Sequence, residues 1–80
     1  MATPRYTDRQ GQYLAFFYLY TKLNRRPPAE ADMVRYFGVT APTVHSMVLT
    51  LEHLGLISRE PGQSRSIRVL LTPAEIPVLE

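Results

Sequence analysis

Two predicted helices meet in the stretch Phe37-Gly38-Val39-Thr40-Ala41-Pro42. Gly38 can supply the left-handed position that closes a helix, because glycine has no side chain to clash there. Thr40 is a typical N-cap residue, and Pro42 suits a first helical turn, where its missing N–H costs no hydrogen bond. Since only Val39 separates the two signals, the second helix is expected to cross the first steeply and to present its N-terminus outward.

The preceding sequence predicts two helices. Thr7 and Gln10 have the spacing of a capping box, in which each side chain bonds the backbone N–H of the other residue. The first helix is expected from Asp8 to about Leu23, because Pro27-Pro28 forbids its continuation. The second is expected from about Ala29 to Phe37.

The third predicted helix, about residues 41–54, has one apolar side and one side of unusual polarity. Val44, Val48 and Leu51 recur at helical spacing and indicate a buried stripe. The opposite side lacks the Lys and Glu of an ordinary solvated helix and carries Pro42, Thr43, His45, Ser46, Leu49, Thr50 and His53. Hydroxyl and imidazole groups bond bases and phosphates, and methyl groups touch thymine, so this side is a candidate for the major groove of DNA.

Two strand-like runs follow the third helix. Residues 56–59 and 66–71 flank the turn-forming sequence Glu60-Pro61-Gly62-Gln63-Ser64 and predict a β-hairpin. Arg65 and Arg68 flank that turn, where they could reach a phosphate. The fold class is therefore mainly α with a small β-hairpin: a winged helix-turn-helix of three helices and a two-stranded wing. We expect this domain to occupy residues 1–72, with residues 73–80 as a C-terminal tail or linker.

Composition and charge agree with a small nucleic-acid-binding domain. The 80 residues are 45% hydrophobic and 20% charged, which is ordinary globular usage. Residues 1–72 carry nine basic and five acidic groups. Eight of the bases are arginines, whose planar fork suits phosphates and guanine edges. Two alternatives stay open. One is a winged helix that docks a protein partner through Leu49, the aromatic residues of the first helix and the tail. The other is a non-specific architectural binder of DNA.

The residues of other functional classes are missing from the sequence. There is no cysteine, Gly-rich phosphate loop or nucleophile elbow, and His45 and His53 are too far apart to share a metal easily. Glu30 and Asp32 are interpreted as partners of a helix dipole. We therefore expect no enzyme, cofactor, metal or small-molecule ligand. The apolar runs are too short for a membrane span or a signal peptide, which favours a cytoplasmic protein.

A set of short motifs points to one family: Thr7-Asp8-Arg9-Gln10, Arg26-Pro27-Pro28, Phe37-Gly38-Val39-Thr40-Ala41-Pro42, Thr43-Val44-His45-Ser46, Leu51-Glu52, Gly55-Leu56-Ile57, Arg59-Glu60-Pro61-Gly62, Ser64-Arg65 and Ile67-Arg68. With these motifs the chain resembles the DNA-binding domain of LexA-type SOS repressors over nearly its whole length. The self-cleaving Ser and Lys of such repressors belong to a protease domain that these residues do not include. No cleavage is therefore assigned.

The resemblance implies a nucleoid-associated bacterial protein that binds a double-stranded operator as a homodimer, with one helix in each half-site. When the family's contacts are carried over by position, the resemblance assigns base contacts to Ala41, Pro42, Thr43, His45 and Ser46. Backbone contact falls to Arg9, Arg35, Thr40, Arg65 and Arg68.

The first predicted helix departs from the family in its density of aromatic side chains: Tyr13, Phe16, Phe17, Tyr18 and Tyr20. Because these rings cover more than one helix face, at least Phe16 or Tyr20 is expected to be exposed in a monomer. Aromatic residues are enriched at interface cores, which predicts a dimer patch there. The alternative is a repacked core in which the rings fill the space left at Thr21.

Overall fold

The computed structural model describes residues 5–80. Its elements are the helices α1 (Asp8–Asn24), α2 (Glu30–Phe37) and α3 (Ala41–His53), the strands β1 (Ile57–Ser58) and β2 (Arg68–Val69), and a 3-10 turn (Pro73–Glu75). The strands pair antiparallel, with Ile57 opposite Val69. This order confirms the predicted three helices and two-stranded wing. The start of the predicted domain, residues 1–4, lies outside the described residues.

Helix α1 begins and ends with local hydrogen bonds. The Gln10 N–H donates to Thr7 Oγ1 over 3.2 Å, and the Thr7 N–H donates to Gln10 Oε1 over 2.9 Å, so the predicted capping box is confirmed. Arg25 then adopts the left-handed conformation with φ 58° and donates its N–H to the Thr21 carbonyl.

No helix among residues 5–80 has both the length and the apolar character needed to cross a membrane.

The turn between α2 and α3 is built as the sequence predicts. Gly38 has φ 65°, and its N–H donates to the Val34 carbonyl over 3.0 Å. Thr40 Oγ1 accepts the Thr43 N–H over 3.3 Å and caps α3. These contacts fix where α3 begins and leave its first turn at the surface.

The core lies between the three helices and the hairpin. The predicted stripe of α3 is confirmed, because Val44, Val48 and Leu51 are fully buried. Other buried members of the same cluster are Tyr13, Leu14, Phe16, Phe17, Met33, Leu56, Ile57 and Ile67. The outer side of α3 is left without any part in the core.

The aromatic side chains of α1 pack inward. Phe16 is only 8% exposed, because Tyr36 and Phe37 of α2 cover it at ring-centroid distances of 4.8 and 5.7 Å. Tyr20 is partly buried. The prediction that one of these two rings is exposed in a monomer is therefore wrong, since helical periodicity alone could not show that α2 covers this face. The dimer patch proposed for them stays a prediction.

The C-terminal segment lies against the helices. Gln12 of α1 donates to the Val78 carbonyl over 3.0 Å and accepts the Glu80 N–H over 2.8 Å. The Tyr36 hydroxyl donates to the Glu80 carbonyl over 3.0 Å. Leu79 packs against the core cluster. These contacts hold the segment along the N-terminal half of α1.

Candidate nucleic-acid interface

The N-terminal half of α3 presents the predicted base-contacting residues to solvent. Ala41, Pro42, Thr43, His45 and Ser46 are all exposed, whereas the valine between Thr43 and His45 is fully buried. This separation follows from the helical period, which places every third or fourth residue in the core. The structure therefore offers an exposed surface of hydroxyl, imidazole and small apolar groups at the N-terminal end of α3.

One depression in this surface joins α3 to the start of α1. It has a volume of about 480 Å³ and is lined by Gln10, Pro42, Thr43, Ser46, Met47 and Thr50. The Thr40 and Thr43 hydroxyls share a hydrogen bond of 2.8 Å, and the Thr50 hydroxyl donates to the Ser46 carbonyl over 3.0 Å. Such groups can exchange these bonds for bonds to bases or phosphates.

A second cleft, of about 350 Å³, separates α3 from the wing. His45 lies on one side of it, and Gln63 and Arg65 lie on the other. Two predicted contact residues from different elements are thus brought together, although Glu30 and Arg59 also line the cleft.

His45 does not point freely into this cleft. Its Nδ1 lies 3.0 Å from Glu30 Oε2 and 3.2 Å from Oε1, while about half of its side chain stays exposed. The sequence indicates for Glu30 only a role toward the helix dipole and does not reveal this contact. No local signal could have shown it, because the two residues belong to different helices.

Arg65 forms the most connected contact between the wing and the helices. Its Nη1 donates to Tyr20 Oη over 3.1 Å, to Asp32 Oδ2 over 3.2 Å and to the Pro27 carbonyl over 3.4 Å. Its backbone adopts φ 55°, a left-handed conformation that costs energy in residues other than glycine. The guanidinium therefore fastens the wing to α1 and α2, a role that the position of Arg65 in the sequence does not indicate.

Asp32 is the buried acid on which these contacts converge. It is 8% exposed and accepts hydrogen bonds from the Ala29 N–H over 2.8 Å and from Arg35 over 2.5 Å, besides the one from Arg65. Burial by itself raises the pKa of Asp32, but the Ala29 N–H and the charges of Arg65 and Arg35 outweigh it and hold the pKa below the ordinary 3.8. The carboxylate is thus charged at neutral pH.

The other arginines predicted to contact the DNA backbone differ in whether they are paired with an acidic side chain. Arg35 is paired with Asp32, yet its side chain is 72% exposed. Arg9 and Arg68 are exposed and form no ion pair with any residue in the range 5–80. Arg9, Arg35 and Arg68 therefore all remain open to phosphate.

Within residues 5–80, no three His, Asp or Glu side chains gather as metal ligands would.

Three helices, a wing and an exposed polar helix face define a winged helix-turn-helix domain of the DNA-binding class. The family model "LexA DNA binding domain" matches residues 4–66, so the chain belongs to the LexA DNA-binding domain family.

Relatives named LexA repressor support the same assignment. The chain is similar to that of Thermosipho africanus, with 35% identity over 72 residues, which covers 90% of this chain and 36% of the relative. It is similar to that of Thermosipho melanesiensis, with 34% identity over 64 residues, 80% of this chain and 32% of the relative. With that of Cellvibrio japonicus, identity is 32% over 74 residues, 91% of this chain and 37% of the relative. The chain thus spans only 32 to 37% of the length of these relatives.

Proposed function

We propose that this domain binds a specific double-stranded DNA operator and represses transcription from it. The observation that carries the proposal is the exposed face of α3, where Thr43, His45 and Ser46 stand at the surface on a helix that Thr40 caps. A helix of this kind fits the major groove, where its first residues meet the base edges. Membership of the LexA DNA-binding family and relatives named as repressors support both parts of the proposal.

The proposed contacts divide by chemistry. Short hydroxyl, imidazole and apolar groups at the start of α3 would touch base edges: Ala41, Pro42, Thr43, His45 and Ser46. Exposed cations and a cap residue would hold the phosphate backbone: Arg9, Arg35, Thr40 and Arg68. For Arg65 we propose that it acts on DNA binding mainly by positioning the wing, because its Nη1 already donates to three protein groups.

The proposal also includes the oligomeric state and the cellular location of the protein. Helix-turn-helix proteins commonly bind half-sites one helical turn apart as dimers, and we infer a homodimer on a palindromic site. We assign these residues no enzymatic reaction. Since the relatives are bacterial repressors, we place the protein in the cytoplasm with the nucleoid.

The decisive experiment is selection of bound duplexes from a random pool, with the mass of each complex measured. The expected result is one enriched palindrome, occupied by two copies of the chain. Equal binding of the enriched duplex and of random DNA would contradict the proposal and favour a non-specific architectural binder.

Substitutions on α3 sharpen this test. Thr43→Ala and Ser46→Ala should each reduce the difference in binding free energy between the selected and random duplexes by roughly 1 kcal/mol. This value is the low end of the range for base contacts. His53→Ala is the matched control, because His53 is exposed at the other end of the same helix. It should leave the discrimination unchanged.

A further inference from the structure

A groove between α1 and β2 has a more apolar floor than phosphate contacts need. Its volume is about 410 Å³, within the range typical of small-molecule sites. Apolar side chains of both elements form its floor: Phe17 on α1, Ile67 and Val69 on and beside β2, and Leu71 beyond it. Phosphate contacts do not require such a floor.

The rim of this groove is cationic. Lys22, Arg25, Arg26 and Arg68 line it, and no acidic side chain does. All four are exposed, and none forms an ion pair with another residue of the described range 5–80. Like charges so placed repel each other, and an anion that enters the groove would relieve that repulsion.

Three other arginines of the chain are paired with acids. Arg35 and Arg65 contact Asp32, and Arg59 contacts Glu52 over 3.0 Å. Of the six Lys and Arg side chains that form no ion pair within residues 5–80, four line the groove beside its apolar floor, and Arg5 and Arg9 lie elsewhere. This combination distinguishes the groove from a merely solvated surface, on which charges of both signs are interspersed.

We propose that this groove binds a small amphipathic anion, an aromatic or aliphatic body that carries one carboxylate, sulfonate or phosphate. The body covers the apolar floor, and the anionic group accepts charge-assisted hydrogen bonds from the rim. A DNA duplex supplies phosphates but no apolar body, so it would leave the floor uncovered. The groove shares only Arg68 with the proposed DNA surface.

The test is a titration of the isotope-labelled full chain, followed by amide NMR shifts, with three matched probes. 1-Naphthoate carries both the body and the charge, 1-naphthalenemethanol carries the body alone, and acetate carries the charge alone. Naphthoate should shift the amides of residues 17–26 and 67–71. The neutral analogue should bind at least about tenfold more weakly, which is the scale of a lost contact to a charged group, and acetate should cause no localised shift.

The double variant Arg25→Gln/Arg26→Gln should weaken naphthoate binding about tenfold or more. Both side chains are exposed, and the dispersion of the same spectra reports whether the variant is folded. Arg5→Gln/Arg9→Gln removes the same net charge outside the groove lining and should leave naphthoate affinity unchanged.

Three outcomes would overturn the proposal. The first is equal affinity for the neutral analogue, and the second is equal weakening by the two double variants. The third is a shift pattern centred on α3, which would place naphthoate on the proposed nucleic-acid surface instead of in the groove.

Discussion

Arg65 and Asp32 lie 33 positions apart in the chain, and their side chains meet at 3.2 Å between Nη1 and Oδ2. This contact ties the wing to the first turn of α2. Helix α2 leads through the one-residue turn at Val39 into α3. The Asp32 carboxylate therefore helps to hold the wing against the pair of helices that carries the proposed base contacts.

Replacing Asp32 by Asn should destabilise the fold by about 2 kcal/mol. Loss of one partner from a buried charge pair costs several kcal/mol, but Arg35 and Arg65 are partly solvated and regain water, which reduces the loss. Urea unfolding followed by circular dichroism measures it. Glu52→Gln, which breaks a single and more exposed pair with Arg59, is the control and should cost less than about 1 kcal/mol. Equal losses in the two variants would contradict the special role of Asp32.

The stability of the wild-type chain should fall in acid partly through Asp32. Its pKa is lowered in the folded protein, so the folded state binds the proton less readily than the unfolded chain. The contribution is therefore fully present above the unfolded pKa of 3.8 and is lost as the pH falls through the folded pKa. Unfolding free energies from pH 6 down to pH 2 test it. Asp32→Asn should show a shallower decline over the acidic part of this range, and parallel curves would exclude the linkage.

Arg65 and Arg68 should differ in the salt dependence of operator binding. A phosphate contact contributes roughly 0.9 to the slope of log affinity against log salt, and Arg68 is free to make one. Arg68→Gln should therefore lower the slope by about that amount. Arg65→Gln should weaken binding at every salt concentration with the slope nearly unchanged, because its guanidinium bonds protein groups.

Fluorescence anisotropy with the selected duplex measures both slopes. Asp32→Asn provides the matched comparison, since it removes the other half of the same contact. It should resemble Arg65→Gln, and the double variant should lose less than the sum of the two. A slope that falls by about 0.9 in Arg65→Gln would show that Arg65 contacts phosphate directly.

The parts of the fold that follow from neighbouring residues could be predicted from the sequence. Thr7 with Gln10 set the start of α1, Gly38 and Thr40 set the turn, and the apolar spacing of α3 separated its buried side from its exposed side. Each of these signals depends on hydrogen bonds or periodicity within one or two helical turns. The same local reasoning placed the candidate base contacts on the exposed side.

Contacts between distant elements could not be predicted. The pairing of Asp32 with Arg65 and that of Glu30 with His45 depend on how α2 packs against the wing and α3. The burial of Phe16 depends on two rings that α2 contributes 20 and 21 positions later. In each case the residue types were visible in the sequence, but their partners were set by tertiary packing.

Replacing Glu30 by Gln should raise affinity for the selected duplex a few-fold at low salt. The carboxylate places negative charge in the cleft between α3 and the wing and holds His45 at 3.0 Å. Its removal reduces repulsion of phosphates and frees the imidazole for DNA. Anisotropy titrations measure the change, with Glu80→Gln as a control of equal charge outside this cleft. A loss of affinity in Glu30→Gln alone would show instead that Glu30 orients His45 for binding.

Replacing Gly11 by Ala should lower the melting temperature, although alanine favours a helix by about 1 kcal/mol over glycine. A Cβ on Gly11 would lie 2.8 Å from Cε1 of Tyr6 and 3.0 Å from Cγ of Pro77. The Tyr6 ring cannot withdraw easily, because its hydroxyl donates to the Glu75 carbonyl over 2.5 Å. Either the Tyr6 ring gives up this hydrogen bond or the C-terminal segment moves off α1, and both changes cost stability. Calorimetry measures the change, and a shift of a few degrees corresponds to about 1 kcal/mol in a domain of this size.

A second substitution separates this steric cause from a general effect on α1. If the Cβ displaces the C-terminal segment through Pro77, then Gly11→Ala should cost less when Pro77→Ala is already present, since part of the obstructing ring is gone. Additive losses would place the strain at Tyr6 alone. A melting temperature raised by Gly11→Ala would mean that the segment does not press on α1 in solution, because helix propensity would then act without opposition.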